Sequence, residues 1–210
     1  MKRKGFTLAE ALIAIAIVGV VTAMTIPNLV ANYRKNAWAS ALSVAVSNFE
    51  TAMTTMIYKE DVADLSGTKA WIAAGPQVFT TIGIKFNEID AKDGVFTMKM
   101  KNGTVYEFTK QLSDENEKSE RDVYNAGGNL RAKLGELTID VNGADRPNEE
   151  GRDIFKYYIG EDGYLFPLYG KDYCAYKSEE YNSPREKCVV NKEMKYCAAY
   201  LKENGYKMDY

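Results

Sequence analysis

Glu10 is the only charge in the run Phe6–Ile26 (FTLAEALIAIAIVGVVTAMTI) of a 210-residue chain. A carboxylate in such surroundings calls for a cation beside it. Farther on, Asp140, Asn142, Asp145 and Asp153 are spread around Gly143 and Gly151. Alternating Asp and Asn oxygens at these spacings suit calcium, although the segment lacks the terminal bidentate Glu of an EF-hand. The same residues equally suit a turn whose side chains bond their own backbone. Cys174, Cys188 and Cys197 allow one disulfide and leave one thiol over. Histidine is absent, which removes Ser-His-Asp and Cys-His catalysis and His-ligated zinc together. No GxGxxG, Walker-type loop, GxSxG or CxxC occurs. With 27 Lys+Arg against 29 Asp+Glu, charge gives no reason to expect nucleic acid as a partner. The chain reads as a non-enzyme.

The elements that position these groups begin with the apolar run. At ~1.5 Å per residue it spans about 32 Å, close to the ~30 Å hydrocarbon core of a bilayer. Lys2, Arg3 and Lys4 precede it and favour a cytoplasmic N-terminus with the remainder outside. Two plain readings are a cleavable signal peptide, for which the run is too long, and a simple anchor, which leaves Glu10 unexplained. Helical spacing continues through Leu29, Tyr33, Leu42, Ala45, Val46, Phe49, Met53 and Met56, with Asn32, Arg34, Lys35, Ser40, Asn48 and Glu50 on the other side. Pro27 is expected to bend this helix rather than end it, and the end to fall within Lys59–Gly67. Trp71, Ile72, Val78, Phe79 and Ile82 suggest a short helix or connector. Val95–Lys101 and Thr104–Phe108 flank Asn102-Gly103 and read as a hairpin with a two-residue turn, setting Met100 opposite Val105 and Met98 opposite Glu107. Residues 111–136 read as an exposed insertion. Leu137–Val141, Ile154–Ile159 and Tyr164–Phe166 read as further strands. One long helix followed by antiparallel strands is an α+β arrangement.

Lys4-Gly5-Phe6-Thr7-Leu8-Ala9-Glu10 and the apolar run behind it resemble the processing segment of type IV pilins and type II secretion pseudopilins. The resemblance covers about the first 30 residues. It implies cleavage by a prepilin peptidase between Gly5 and Phe6 and N-methylation of Phe6. Gly5 lets a protease approach the backbone closely. Gly19 and Pro27 match a helix-loosening glycine and a kinking proline of many pilins. Glu10 of one subunit would then pair with the Phe6 amine of its neighbour and set the stagger of a helix bundle, as a buried polar residue sets a coiled-coil register. The competing reading is that Glu10 snorkels to the headgroups. The organisation implied is a leader 1–5, a transmembrane or filament-core helix 6–27, its amphipathic continuation 28–60 and a head 61–210.

The same resemblance implies a single-pass inner-membrane protein that later enters an extracytoplasmic filament. Its expected partners are the peptidase, other pilin subunits, and an assembly platform with its motor. The alternative is a membrane-anchored binding or adhesion module that does not polymerise. Major pseudopilins hold calcium in a head loop, which keeps calcium beside the turn reading for Asp140–Asp153; no other cofactor is expected. An outward head permits a disulfide, as in many type IV pilins. Cys174–Cys197 is the expected pair, because Cys197 sits in an apolar stretch (Tyr196–Leu201) suited to return to the sheet. Eleven of the fifteen tyrosines lie from Tyr157 onward. They suit either half-buried packing or an adhesive surface.

Overall fold

The computed structural model describes residues 7–72, 86–92, 95–110, 123–126, 129–171 and 183–210. The chain divides into two compact units, Met1–Ala37 and Trp38–Tyr210. Helix α1 (Leu8–Glu60) runs through both and contains Pro27 in its interior. Proline there removes one ladder hydrogen bond, and the helix nevertheless resumes. It stops in a Schellman arrangement: Asp61 takes a left-handed φ of 52°, Val62 N–H donates to Ile57 O (3.3 Å) and Asp61 N–H to Tyr58 O (3.4 Å).

In the second unit α1 buries Ala39, Leu42, Ala45, Val46, Phe49, Ala52, Met53 and Met56, spaced by threes and fours. Leu29 and Tyr33, expected to extend this stripe, are 70% and 73% exposed. A 3₁₀ turn (Leu65–Gly67) follows, capped by Asp64, whose side chain accepts from Gly67 N–H. Helix α2 (Lys69–Ile72) comes next. Val78, Phe79 and Ile82 lie outside the described residues.

The strands are β1 (Phe86–Lys92), β2 (Val95–Met100), β3 (Val105–Lys110), β4 (Val123–Ala126), β5 (Asn129–Asp140), β6 (Ile154–Gly160) and β7 (Leu165–Pro167). Six are ordered β1-β2-β3-β5-β6-β7, and β4 pairs with the start of β5. All the pairings are antiparallel. Strand β1 escaped the sequence reading, since Phe-Asn-Glu-Ile-Asp-Ala-Lys alternates poorly. The expected insertion at 111–136 is corrected in part: β4 and the start of β5 fall within it.

The hairpin is corrected too. Its register sets Lys99 against Val105 and Met98 against Tyr106. Gly103 N–H donates to Met100 O (3.1 Å), Met100 N–H to Thr104 O (2.8 Å), and Gly103 has φ 91°. The loop is therefore Lys101-Asn102-Gly103, with the glycine in the left-handed position of a three-residue turn. One extra loop residue moves the register by one, replacing the Met98–Glu107 mismatch with two buried side chains.

The core lies between α1 and one face of the sheet. Leu42, Phe49 and Met53 meet Met98, Tyr106, Leu137, Ile139, Phe155, Tyr157, Ile159 and Leu165 in one cluster. Phe49 stacks on Tyr106 with centroids 6.4 Å apart, and Trp71 meets Phe108 edge-on at 5.4 Å. Each such side chain removed from water contributes about 1.5–3 kcal/mol. Glu50, expected on the polar side, instead faces the head. Its carboxylate accepts from Leu165 N–H (3.0 Å) and Lys202 Nζ (3.2 Å), and Lys202 Nζ also donates to Leu165 O.

The C-terminal region contains a π-helical turn (Glu186–Val190), a 3₁₀ turn (Met194–Tyr196) and helix α3 (Cys197–Glu203). The apolar stretch at Cys197 returns to the sheet as expected, as helix α3, which sends Ala198 and Leu201 into the core. The disulfide expectation is corrected: Cys197 bonds Cys188, nine positions away, with Cα atoms 5.0 Å apart. The chain doubles back at Lys192 (φ 56°), where Glu193 N–H donates to Lys187 O (2.9 Å), and this brings the two cysteines together. Cys174 lies outside the described residues.

Among the described C-terminal tyrosines, packing dominates. Tyr157 and Tyr200 are buried, and Tyr206 and Tyr210 pack half-buried against the core. Tyr200 Oη donates to Asp209 (2.8 Å) and Tyr210 Oη to Gly151 O (2.7 Å).

Burial pushes the Tyr206 phenol up to about 12, and those of Tyr106, Tyr157 and Tyr210 above the ordinary tyrosine value. Each stays neutral in the folded chain while the unfolded chain ionises from about pH 10, so the unfolded state binds fewer protons there. Their stabilisation is complete below pH 10 and falls by roughly 1.4 kcal/mol per pH unit per tyrosine above it. Thermal melts should show a steep loss of stability from pH 10 to 11. A flat profile over that interval would contradict the burial.

Candidate functional site

Helix α1 starts with a reciprocal cap. Thr7 N–H donates to Glu10 Oε2 (2.9 Å), Thr7 Oγ1 donates to the same oxygen (2.8 Å), and Glu10 N–H donates to Thr7 Oγ1 (3.3 Å). Ala11 N–H then bonds Thr7 O at 3.2 Å. This is the capping box S/T-x-x-E, which satisfies two of the donors that a helix start leaves open. The signal stood in the sequence as Thr7-Leu8-Ala9-Glu10 before an apolar run, and the reading of Glu10 as a membrane carboxylate missed it. Gly5 and Phe6 lie outside the described residues.

Beyond the cap, Leu8, Leu12, Ile13, Ile15, Ile17, Val18, Val20, Val21, Met24 and Ile26 are all exposed. A helix apolar on every side is made for hydrocarbon or for other helices. By length and composition this stretch of α1 can cross a membrane. Gly19 has open space around its Cβ position, so a side chain there would meet nothing in this chain. Thr25 Oγ1 donates back to Val21 O (2.9 Å) just before Pro27. Back-bonding and proline both loosen the helix at that level.

The second candidate, the loop between β5 and β6, brings Asp140 and Asp153 to its two ends, where Val141 N–H bonds Asp153 O (2.9 Å). Asp140 Oδ1 accepts from Asn142 N–H (3.2 Å) and Gly143 N–H (2.8 Å). Asp153 Oδ1 accepts from Glu149 N–H and Oδ2 from Asn148 N–H, each at 2.7 Å. Asn142 Nδ2 donates to Asp145 O (2.9 Å) and Arg146 O (3.3 Å). Asp145 is exposed. Burial raises the Asp140 carboxyl above its ordinary value, more than the two amide bonds lower it. No group of three or more Asp, Glu or Cys side chains among the described residues is placed to hold a metal ion.

A sheet of antiparallel strands packed on one long helix defines an α+β protein of pilin-like arrangement. Residues 1–26 match the family model described as the prokaryotic N-terminal methylation motif. That motif is characteristic of type IV pilins and pseudopilins, and the chain carries it across the capped start of α1. No curated protein and no solved structure matches the chain.

Proposed function

We propose that the chain is the precursor of a filament subunit of a type IV pilus or a type II secretion pseudopilus. The observation that carries this reading is the methylation motif at residues 1–26, joined to a helix whose apolar side chains are exposed on all sides. In this reading a prepilin peptidase cuts after Gly5 and methylates Phe6. The precursor sits in the inner membrane with its N-terminus in the cytoplasm. An assembly platform and its motor then draw it into a filament of like subunits, where Glu10 pairs with a neighbour's Phe6 amine. The role is structural rather than catalytic.

Mass spectrometry of the chain from cells with a prepilin peptidase should find Phe6 as a methylated first residue. Gly5→Ala should slow or block the cut, because a methyl group intrudes where the backbone must enter the protease. An intact Met1 terminus, or cleavage near Ala23, would overturn the reading. The same proposal takes Asp140–Asp153 as a turn held by its own side chains, with no cofactor. Equal melting temperatures in calcium and in chelator are then expected. A gain approaching 2.7 kcal/mol at a hundredfold calcium excess over Kd would instead restore the metal site.

A further inference from the structure

Three Asn-Gly pairs occur in the chain: Asn102-Gly103, Asn142-Gly143 and Asn204-Gly205. In such a pair the glycine nitrogen, unshielded by a side chain, can attack the asparagine side-chain carbonyl. The structure treats the three differently. The Asn142 amide nitrogen is tied to Asp145 O and Arg146 O, its Oδ1 is buried, and Gly143 N–H is held by the Asp140 carboxylate at 2.8 Å. A carboxylate on that N–H opposes the loss of its proton. The Asn204 amide nitrogen is tied to Tyr200 Oη (3.1 Å) and Lys207 O (3.1 Å).

Asn102 is exposed at the hairpin tip, and among the described residues its Nδ2 has no bonding partner. Its Oδ1 accepts from Thr104 N–H at 3.1 Å, which polarises the carbonyl toward attack. Among the described residues Gly103 N–H bonds only the neutral carbonyl of Met100, with no carboxylate on it.

We propose that Asn102 is a site of spontaneous deamidation, and that it alone of the three pairs reacts in the folded chain. The Gly103 nitrogen loses its proton and bonds Asn102 Cγ, and the Cγ–Nδ2 bond breaks. Ammonia leaves with the proton, and a succinimide remains. Water opens either ring carbonyl, giving an aspartyl or an isoaspartyl linkage. The product places a carboxylate at a cavity of about 290 Å³ lined by Ser40, Val44 and Asn48 of α1 and by Met100 and Asn102 of the hairpin. The surface between helix and hairpin therefore gains charge as the molecule ages.

The test is incubation of the full chain in detergent at mildly alkaline pH. Peptide mapping and isoaspartyl methyltransferase labelling then follow each asparagine. Two hydrogen bonds hold each of the Asn142 and Asn204 amide nitrogens, so Asn102 should convert at least about fivefold faster than either. In urea the three rates should converge to within a few fold. Asn102→Gln should remove the folded-state signal. Conversion of Asn142 or Asn204 as fast as Asn102 in the folded chain would overturn the proposal. So would an Asn102 that stays intact while the urea control converts.

Discussion

Filaments sheared from cells that make Glu10→Val in place of the native chain are expected to lack it almost entirely. Its level in the membrane should at least match the native chain's, because a carboxylate in hydrocarbon costs about 2.5–3.5 kcal/mol on insertion scales and valine carries no such cost. The capping box supplies a control. Losing it weakens the helix start by about 1 kcal/mol, far too little to melt a helix of 53 residues. Glu10→Gln goes further, since glutamine preserves the capping box and removes only the charge. Both variants should fail to assemble if Glu10 attracts a neighbouring amine. A Gln variant that assembles normally would assign Glu10 to the cap alone, and a Val variant that does so would leave it no role in assembly.

Gly151→Ala should destabilise the head severely for the addition of a single methyl group. Gly151 sits at φ 79°, and a Cβ there would lie 2.4 Å from Met194 O and 3.0 Å from Met194 C. Those are main-chain atoms next to the turn closed by Cys188–Cys197, so no rotamer change relieves the clash. The conformation costs roughly 1–2 kcal/mol for a residue with a side chain. Displacing the Met194 turn adds about 1–3 kcal/mol, as overpacking does elsewhere. Tyr210 Oη, bonded to Gly151 O, would be displaced as well. Gly205→Ala is the matched control, with φ 63° and nothing within 4 Å of the added methyl. Denaturant melts should show the Gly151 variant about 1–3 kcal/mol below the Gly205 variant, since the conformational cost is common to both. Equal losses would mean that the contact with Met194 does not constrain the head.

The sequence was most legible where one physical requirement dominated. An uninterrupted apolar run and its basic flank left little choice about the first helix, and the three-and-four spacing from Leu42 to Met56 marked the face that the sheet covers. Strands β5 and β6 showed through Leu137/Ile139 and Phe155/Tyr157/Ile159, which alternate because one side of the sheet is buried. What stayed hidden depended on single residues of register or on distant partners. Asn102-Gly103 marked a hairpin, but whether its loop holds two residues or three depends on which pairing buries Met98. The acidic side chain of Glu50 gave no hint of a partner 152 positions away. Cysteine pairing likewise followed the backbone reversal at Lys192, a lysine in a left-handed conformation that no composition signals. At the N-terminus Thr7 and Glu10 carried a capping signature in plain view. It was masked by the stronger demand that an acid in an apolar run makes for a cation.

The ion pair of Glu50 and Lys202 has a consequence for how copies of this chain avoid joining. Strand β7 ends the strand order, and a strand in that position offers a template on which a neighbour can zip. Here both main-chain groups of Leu165 terminate on side chains, its N–H on Glu50 and its carbonyl on Lys202. Pro167, with no N–H to give, closes the same strand. The margin of the sheet at β7 is thereby quarantined. Sideways accretion of sheet on sheet is discouraged at this rim.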